Sequence, residues 1–472
     1  MVLLHRGLLF AVYFFGMAIA TVASADVTLP NIFGDHMVIQ QQQKTAVWGW
    51  AEAGEDVAVS FGDASVMAKA SADGKWSTEI DPPAAGGPYT LSVKGKNEVV
   101  FKDVLVGEVW LCSGQSNMEW TVKISNKPEE EIAAGNHPRI RHIKIPHIPA
   151  DAPQENVATN GWEICSSDTV GEFTAAGYYF GRHLMQELDV PIGLIGSNWG
   201  GTRIEPWTPP AGFETVEVAG VSGNLDQFPE KNDAGQINHQ SALALYNGMI
   251  SPLVPYTIRG AIWYQGESNR DDGYTYETKM RALIAGWRAL WKKEALPFYF
   301  VQLAPYRYGG DEELLAQIWE AQSKTLAVPH TGMAVTVDIS NITDIHPRNK
   351  QDVGKRLALW ALAKTYGQDA LVYSGPLYES MQVEGDKIRI HLNHIGSGLK
   401  SRDGKPLSWF TIAGSDKQFV DATAEIDGNT VLVAADTVKE PVAVRFGWHQ
   451  EAEPNLSNQE GLPASPFRTD SW

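Results

Sequence analysis

The sequence has few cysteines and lacks the short motifs by which metal and redox sites are often recognised. Cys112 and Cys165 are the only two cysteines among 472 residues, and neither a CxxC nor an HExxH pattern occurs. The two thiols could pair in an oxidising compartment, but Cys112 lies in an apolar run that suits a buried free thiol equally well. The sequence therefore gives no reason to expect a metal ion.

Positive charge is also in short supply. The chain has 38 Lys and Arg residues against 56 Asp and Glu residues, which gives a formal net charge of −18. Nucleic-acid binding needs a basic surface, so this balance argues against a nucleic-acid partner. A polyanionic substrate would gain no long-range attraction, although a single arginine could still bind one carboxylate.

Long hydrophobic runs are absent except at the amino terminus. There, His5 and Arg6 precede the apolar stretch "GLLFAVYFFGMAIATVA", and small residues at positions 23–25 fit a cleavage site. The pattern predicts a signal peptide over residues 1–25 and an exported, periplasmic or extracellular protein. The alternative is a membrane anchor, but the stretch is short for a span and no second one follows, so we expect no span in the mature chain.

The length of 472 residues exceeds one ordinary hydrophobic core, and the patterning divides the chain into three parts. Residues 26–104 show the alternation typical of short strands and predict a β-sandwich. Residues 105–370 alternate apolar runs with helical patterns, which predicts an α/β domain whose parallel sheet is flanked by helices. Residues 371–472 return to short strands and predict a second β-rich, sandwich-like module.

Polar stretches of unusual composition follow four predicted strands of the middle part. In chain order they are "SGQSNMEW", "SNWGGTRIEPW", "QGESNR" and "DISNITDIHP". Ligands of open parallel sheets bind at the carboxyl ends of the strands, where these stretches would meet. The sequence thus predicts an active site built from segments far apart in the chain.

Ser116 and His346 are the candidate catalytic pair in these stretches. A serine hydroxyl becomes nucleophilic when a base removes its proton, and a loop histidine oriented by a carboxylate is such a base. Asp344 and Asp338 are the candidate carboxylates. The chain contains no GxSxG elbow, and a serine after a strand is more often a helix cap, so Ser116 gains weight only together with His346.

Three further positions are candidates for binding the oxyanion of an acyl-transfer reaction. The Ser116 amide, the backbone of Gly200 or Gly201, and the Gln265 side-chain amide could each donate a hydrogen bond. The alternatives are an ordinary strand-to-helix turn for the glycines and a hydrogen-bonded strand end for Gln265. Glu267 is interpreted as bracing the site.

Two side chains near the glycines are candidates for substrate binding. Arg203 could pair with a substrate carboxylate or bridge Glu205, and the bridge is the favoured interpretation. Trp199 could stack on a sugar ring or belong to the core.

The motifs "GQSNMEW", "GGTRIEPW", "WYQGESN" and "DIHPRNK" together resemble the sialate O-acetylesterase family of carbohydrate esterases. The carboxyl-terminal stretch "NQEGLPASPFRTDSW" is similar to that family's tail, so the resemblance runs from about residue 28 to the end. It implies an SGNH-type hydrolase with a flavodoxin-like α/β core.

The resemblance also implies roles for individual residues. Ser116 matches the family's nucleophile and His346 its general base. The usual SGNH signature has Asp three residues before the histidine, where this chain has Thr343. The acidic member is therefore Asp344 or, failing that, Asp338, and a Ser–His dyad aided by a backbone carbonyl is the remaining alternative.

The glycines at 200–201 match the block that contributes an oxyanion amide in the family. Gln265 falls in a block where many relatives use asparagine. The implied reaction is a two-step acyl transfer that needs no cofactor and releases acetate from an acetylated carbohydrate.

The sequence leaves two other functions open. The first is acetyl-ester hydrolysis on another glycan such as acetylated xylan, which the acidic net charge favours because xylan backbones are neutral and sialic acids are anionic. The second is a non-catalytic glycan-binding protein. The oligomeric state is not predicted.

Overall fold

The computed structural model describes residues 26–472, so the predicted signal peptide lies outside the described residues. The described part begins with six short strands, namely β1 (Val38–Gln40), β2 (Thr45–Trp50), β3 (Asp56–Phe61), β4 (Ala64–Lys69), β5 (Lys75–Ile80) and β6 (Gly86–Lys94). β2 pairs with β5, while β3 pairs with β4 and β6, all antiparallel. Every second side chain of β3 is buried, as expected of a strand with one face in a core.

A single long strand, β7 (Glu98–Gly114), joins this module to the central sheet. Its first half pairs with β6 and has alternating exposure, whereas its last eleven residues are all buried. That change is expected where an antiparallel strand with one solvated face becomes a parallel strand covered on both faces. One hydrophobic core therefore runs through both parts, across the predicted boundary at 104–105.

The central sheet is mostly parallel. Its further strands are β8 (Ile140–Lys144), β9 (Glu163–Ile164), β10 (Ile192–Asn198), β11 (Gly260–Tyr264), β12 (Phe298–Val301) and β13 (Thr331–Ala334). The spatial order is β13-β12-β11-β7-β10-β8-β9, and only β9 is antiparallel to its neighbour. The five strands β7, β10, β11, β12 and β13 thus have the 2-1-3-4-5 order of a doubly wound sheet, with β8 and β9 added beyond β10.

Helices connect these strands. They are α1 (Ser116–Glu119), α2 (Pro128–Ala133), α3 (Ala175–Leu188), α4 (Pro210–Thr215), α5 (Tyr276–Trp291), α6 (Leu314–Thr325) and α7 (Lys350–Lys364). Short 3-10 turns lie at Val122–Ile124, Val170–Glu172, Glu205–Trp207, Leu225–Gln227, Ser251–Leu253 and Glu267–Thr275, and a π turn at Tyr246–Ile250. The helical patterns of the sequence predict helices at 174–188 and near 275–292, 312–327 and 348–365, and α3, α5, α6 and α7 begin and end within two residues of these bounds.

The carboxyl-terminal part consists of ten strands with a hydrophobic cluster of their own. They are β14 (Leu377–Glu384), β15 (Lys387–Asn393), β16 (Leu399–Ser401), β17 (Phe410–Gly414), β18 (Phe419–Asp421), β19 (Thr423–Asp427), β20 (Thr430–Ala434), β21 (Pro441–Phe446), β22 (Leu456–Asn458) and β23 (Phe467–Arg468). There are two four-stranded sheets, β14-β15-β20-β19 and β18-β17-β21-β23, and a separate two-stranded pair, β16-β22. The predicted mixed α/β architecture with separate β-rich parts is confirmed.

The structure also answers two questions of composition. Cys112 and Cys165 are both buried and both free, so they do not form a disulfide. Within residues 26–472, no helix is long and apolar enough to span a membrane, and no group of three His, Cys, Asp or Glu side chains is arranged to hold a metal ion.

Candidate active site

The site begins at the carboxyl end of β7, beside the end of β11. Gly114 closes β7 with φ near +138°, and a Cβ atom there would lie 2.2 Å from the Tyr264 carbonyl oxygen. A residue without a side chain is required at this turn. The next amide, of Gln115, donates to that same carbonyl at 3.0 Å. Ser116 therefore starts α1 where the strand order reverses, the usual ligand position of such sheets.

Ser116 and His346 lie 230 residues apart in the chain but meet in the structure. His346 Nε2 is 2.9 Å from Ser116 Oγ. The Trp120 ring stacks on the imidazole with ring centroids 4.8 Å apart and planes 19° apart, which fixes the plane of the histidine. A neutral Nε2 at this distance can accept the hydroxyl proton, so the geometry suits a serine nucleophile with its base.

Asp344 is the carboxylate beside His346. Its Oδ1 lies 3.5 Å from His346 Nδ1 and accepts a hydrogen bond from the His346 backbone amide at 3.0 Å. The contact with the ring is longer than a usual hydrogen bond, so the orienting effect of Asp344 is weaker than in a close triad.

Asp338, the alternative candidate for orienting His346, pairs with an arginine instead. Both of its carboxylate oxygens accept hydrogen bonds from Arg356, at 2.6 and 2.7 Å. This bidentate, buried ion pair fixes Asp338 at the end of the sheet. Asp338 therefore does not orient His346.

The surroundings of His346 lower the pKa of its imidazole and so keep the ring neutral. Burial lowers the pKa of His346, the nearby Lys350 ammonium lowers it further, and Asp344 opposes both effects. Because the ordinary pKa is about 6.5, the ring is neutral at pH 7. A general base must be in this state before it takes a proton.

Gly200 lies directly beside the serine. A Cβ atom on Gly200 would come within 3.3 Å of Ser116 Cβ, so a larger residue would crowd the nucleophile. However, the Gly200 amide already donates to Glu119 Oε2 at 2.7 Å. The Gly201 amide has no acceptor among residues 26–472, and Ser116, as the first residue of α1, has an amide without an intrahelical partner. These two amides are the available donors for an oxyanion.

Gln265 does not reach the site, contrary to the expectation from its position. The side chain is fully buried, and its Nε2 donates to the Thr202 carbonyl at 3.0 Å and to Asn269 Oδ1 at 2.7 Å. Its Oε1 accepts from the Tyr276 hydroxyl at 2.7 Å. Both amide hydrogens are therefore engaged, and Gln265 braces the loop after β11 instead of binding an oxyanion.

Arg203 belongs to a cluster of ion pairs, as the favoured structural interpretation requires. Its Nη2 donates to Glu205 at 3.1 Å and to Asp272 at 2.9 Å, and its Nη1 donates to the Ser268 carbonyl. Lys279 bonds the same two carboxylates at 2.6 Å. Both terminal nitrogens of the guanidinium are thus occupied by partners within the protein, which disfavours a role in binding a substrate carboxylate.

Trp199 lies next to Gly200 with its ring already stacked. The His147 ring packs on it at 4.5 Å with an interplanar angle of 3°, and the His239 ring at 4.7 Å with 11°. A sugar ring would have to displace one of these imidazoles to stack on the indole.

Glu119 contacts both His147, which stacks on Trp199, and the backbone of Gly200 beside Ser116. His147 Nε2 lies 2.8 Å and Lys144 Nζ 3.3 Å from its carboxylate, which also holds the Gly200 amide. Burial alone would raise the pKa of Glu119, but the hydrogen bond from His147 and the charge of Lys144 lower it to about 2. Glu119 is thus an ionised anchor for the backbone beside Ser116.

Comparison with known proteins shows to which family this chain is similar. Residues 106–363, more than half of the chain, match the family described as "Carbohydrate esterase, sialic acid-specific acetylesterase". The sialate O-acetylesterase of Homo sapiens is 30% identical over 93% of this chain and 91% of its own length. That of Rattus norvegicus is 32% identical over 74% of this chain and 75% of its own length.

A solved structure agrees with these matches. A carbohydrate acetylesterase from Xanthomonas citri is 42% identical, with a TM-score of 0.88 over 95% of this chain and 100% of its own.

The chain belongs to the sialate O-acetylesterase family of carbohydrate esterases. It is accordingly a carboxylic ester hydrolase, and family membership supports O-deacetylation of acetylated sugars. The resemblance found in the four sequence motifs is confirmed.

Several side chains of this family member's site escape prediction from the sequence. Trp120 and Glu119 stand within the "SGQSNMEW" stretch, but their spacing does not show that one stacks on His346 and the other holds Gly200. Lys350 looks like an ordinary basic residue at a helix start. His147 lies in "IPHIP", a stretch with no catalytic pattern, and only the fold brings it to Glu119.

We expect Asp344→Asn to lower kcat/KM by roughly 10- to 100-fold, well below the ~10⁴-fold loss for the close aspartate of a triad. Asp344 raises the pKa of His346, so its loss lowers that pKa and moves the acid limb of the kcat/KM–pH profile to lower pH. Steady-state kinetics between pH 4 and 9 measure both effects.

Asp338→Asn is the matched control for Asp344→Asn. It weakens the ion pair with Arg356, so it should lower the melting temperature and leave the acid limb in place. An Asp344→Asn enzyme with the wild-type rate and profile would show that His346 works without this carboxylate.

Proposed function

We propose that this enzyme removes O-acetyl groups from sialic acids or related acetylated sugars through an acyl-enzyme on Ser116. The observation that carries this proposal is the 2.9 Å contact between Ser116 Oγ and His346 Nε2 at the carboxyl edge of the sheet. A glycan-binding protein without catalytic activity has no need of a base in contact with a serine, and the family is one of hydrolases.

In the proposed acylation step, His346 Nε2 takes the Ser116 proton as Oγ bonds to the acetyl carbonyl carbon. The amides of Ser116 and Gly201 donate to the resulting oxyanion. When the tetrahedral intermediate collapses, the bond to the sugar oxygen breaks and that oxygen receives the proton from His346. A water molecule, deprotonated by His346, then attacks the carbonyl carbon of the acetyl-serine. The bond from that carbon to Ser116 Oγ breaks, acetate leaves, and Oγ receives the proton from His346.

We assign the catalytic domain to the SGNH type on two grounds. The five-strand order 2-1-3-4-5 is that of a flavodoxin-like sheet. The base reaches the serine from a loop just before the last core helix, α7, as the "DIHPRNK" motif predicts.

The substrate class is proposed from the relatives. Mammalian relatives are named sialate O-acetylesterases, whereas the X. citri protein is named a carbohydrate acetylesterase without a specified sugar. The charge of −18 favours a neutral glycan and keeps acetylated xylan as the second candidate. Acetate release from O-acetylated mucin and from acetylated xylan by the same enzyme separates the two, and activity confined to xylan would reject sialic acids.

Arg348 is our candidate for binding a substrate carboxylate, in place of Arg203. It is exposed, lies two residues after His346, and makes no ion pair within residues 26–472. For a sialylated substrate, we expect Arg348→Ala to raise KM about 10-fold. That is the loss of affinity expected when one hydrogen bond to a charged group is removed from a partly exposed position. For a neutral acetyl ester, KM should not change.

The control for Arg348→Ala is Arg203→Ala. That substitution breaks the cluster with Glu205 and Asp272 and should affect both substrates alike through lower stability. Equal KM values of Arg348→Ala and wild-type enzyme on the sialylated substrate would remove Arg348 from the site.

Export to the periplasm or the extracellular space is also part of the proposal. It rests on the predicted signal peptide of residues 1–25.

A further inference from the structure

Lys350 is a buried cation directly behind the catalytic histidine. It is the first residue of α7, and none of its surface is exposed. Its Nζ donates to the Pro347 carbonyl at 2.7 Å and to Asn117 Oδ1 at 2.6 Å, and lies 5.1 Å from the centre of the Tyr264 ring. The proposed reaction gives this ammonium group no chemical step.

Asn117, the residue after the nucleophile, contacts both Lys350 and the backbone before His346. It follows Ser116 in α1 and is 1% exposed. Its Nδ2 donates to the Ile345 carbonyl at 3.1 Å and to Glu267 Oε1 at 2.5 Å. The carbonyls immediately before and after His346 are thus held by Asn117 and Lys350, two side chains that also bond each other.

We propose that Lys350 and Asn117 are positioning residues, which clamp the backbone on both sides of His346 and so hold its imidazole against Ser116. This inference rests on the proposed function, because it takes His346 as the base. Glu267 Oε1 accepts a hydrogen bond from Asn117, and the negative charge of Glu267 opposes the fall in the pKa of Lys350.

The energetics of burial favour a functional reason for this lysine. Removing an ammonium from water costs free energy, and replacing a whole buried ion pair by apolar residues of similar volume often costs no stability. Packing alone would therefore be served by an apolar side chain such as methionine at position 350, with an uncharged partner at position 267. What methionine cannot do is donate hydrogen bonds to Pro347 and Asn117.

The charge of Lys350 also acts on His346. The groups that face the imidazole are Ser116 and Trp120 from α1, Asp344 from its own loop, and Lys350 from α7. Burial lowers the pKa of Lys350 to about 7, although Glu267 and Asp344 oppose that shift. Below pH 7 the lysine is charged, and this is the range in which His346 titrates.

The test is Lys350→Met in the full-length mature enzyme. We expect kcat to fall roughly 100-fold with little change in KM, since a small misplacement of a catalytic group costs about that factor. Because Lys350 lowers the pKa of His346, its loss raises that pKa and moves the acid limb to higher pH, opposite to Asp344→Asn. The melting temperature should fall, because Asn117 Oδ1 and the Pro347 carbonyl lose their buried donor, so kcat is measured at a temperature at which both proteins are fully folded.

Lys355→Met is the matched control on the same helix. Lys355 is exposed, so its substitution should leave kcat, the acid limb and the melting temperature unchanged. Asn117→Ala is the second variant and should lower kcat as Lys350→Met does. The double variant should lose little more than either single one, because both act through one clamp.

Each outcome decides the inference. Wild-type kcat and acid limb in Lys350→Met would overturn it, and so would a loss of activity that follows the unfolded fraction with an unmoved acid limb. Failure of the proposed function has a different signature, since Ser116→Ala would then be as active as wild type. An inactive Ser116→Ala beside an unaffected Lys350→Met would reject the clamp alone.

Discussion

Ser116→Ala should lower the rate of acetyl-ester hydrolysis by roughly 10⁴-fold or more, to the level given by binding and oxyanion donors alone. The substitution removes the atom that bonds to the acetyl carbon, and no other hydroxyl of residues 26–472 contacts the His346 ring. The hydroxyl makes its contact with His346 at a partly exposed position, so the melting temperature should hardly change. Acetate release from a simple acetyl ester measures the loss.

Ser268→Ala is the matched control for this experiment. Ser268 lies at the same edge of the sheet and is also partly exposed, but its backbone, not its hydroxyl, bonds Gln115 and Arg203. Near-wild-type activity is expected for it. If the Ser116→Ala enzyme retained comparable activity, the acyl-enzyme mechanism would be wrong.

The contact between Ser116 and His346 could be predicted because it depends mainly on the order and direction of the strands in the sheet. Parallel strands place all their carboxyl ends on one edge, so polar stretches that follow them converge wherever they occur in the chain. The strong helical and apolar periodicities predict those strands and helices, and the observed ends of α3 and α7 lie within two residues of the predicted ones.

The direction of individual side chains could not be predicted in this way. Gln265 stands at the end of β11, as expected, but turns into the loop because Thr202, Asn269 and Tyr276 supply partners for all its polar atoms. Trp199 is likewise at the predicted edge, yet its stacking depends on two histidines from distant segments. Partners of this kind are set by tertiary packing, which the local pattern does not record.

The predicted boundary at 104–105 reflects a change along β7. The composition changes there because the strand passes from a half-solvated antiparallel sheet into a buried parallel one. The same strand then carries the nucleophile at its end, so the amino-terminal module and the catalytic sheet share one hydrophobic core. A change in hydrophobic pattern thus indicates a change of environment, which need not coincide with a linker.

His346→Ala should be as damaging as Ser116→Ala, and the two losses should not multiply. Without the imidazole the serine has no base, and without the serine the imidazole has no nucleophile to activate, so the pair acts as a unit. We expect roughly 10⁴-fold from either change and about the same from both together, whereas independent effects would give roughly 10⁸-fold.

The measurement is kcat/KM for wild type, both single variants and the double variant, in an assay that resolves the uncatalysed background. His391→Ala is the control, since His391 lies on β15 in the carboxyl-terminal part, away from the catalytic edge, and its loss should leave the rate unchanged. A His346→Ala enzyme within tenfold of wild type would mean that another group deprotonates Ser116. A double variant far slower than either single one would mean that the two residues contribute separately, which the 2.9 Å contact between them argues against.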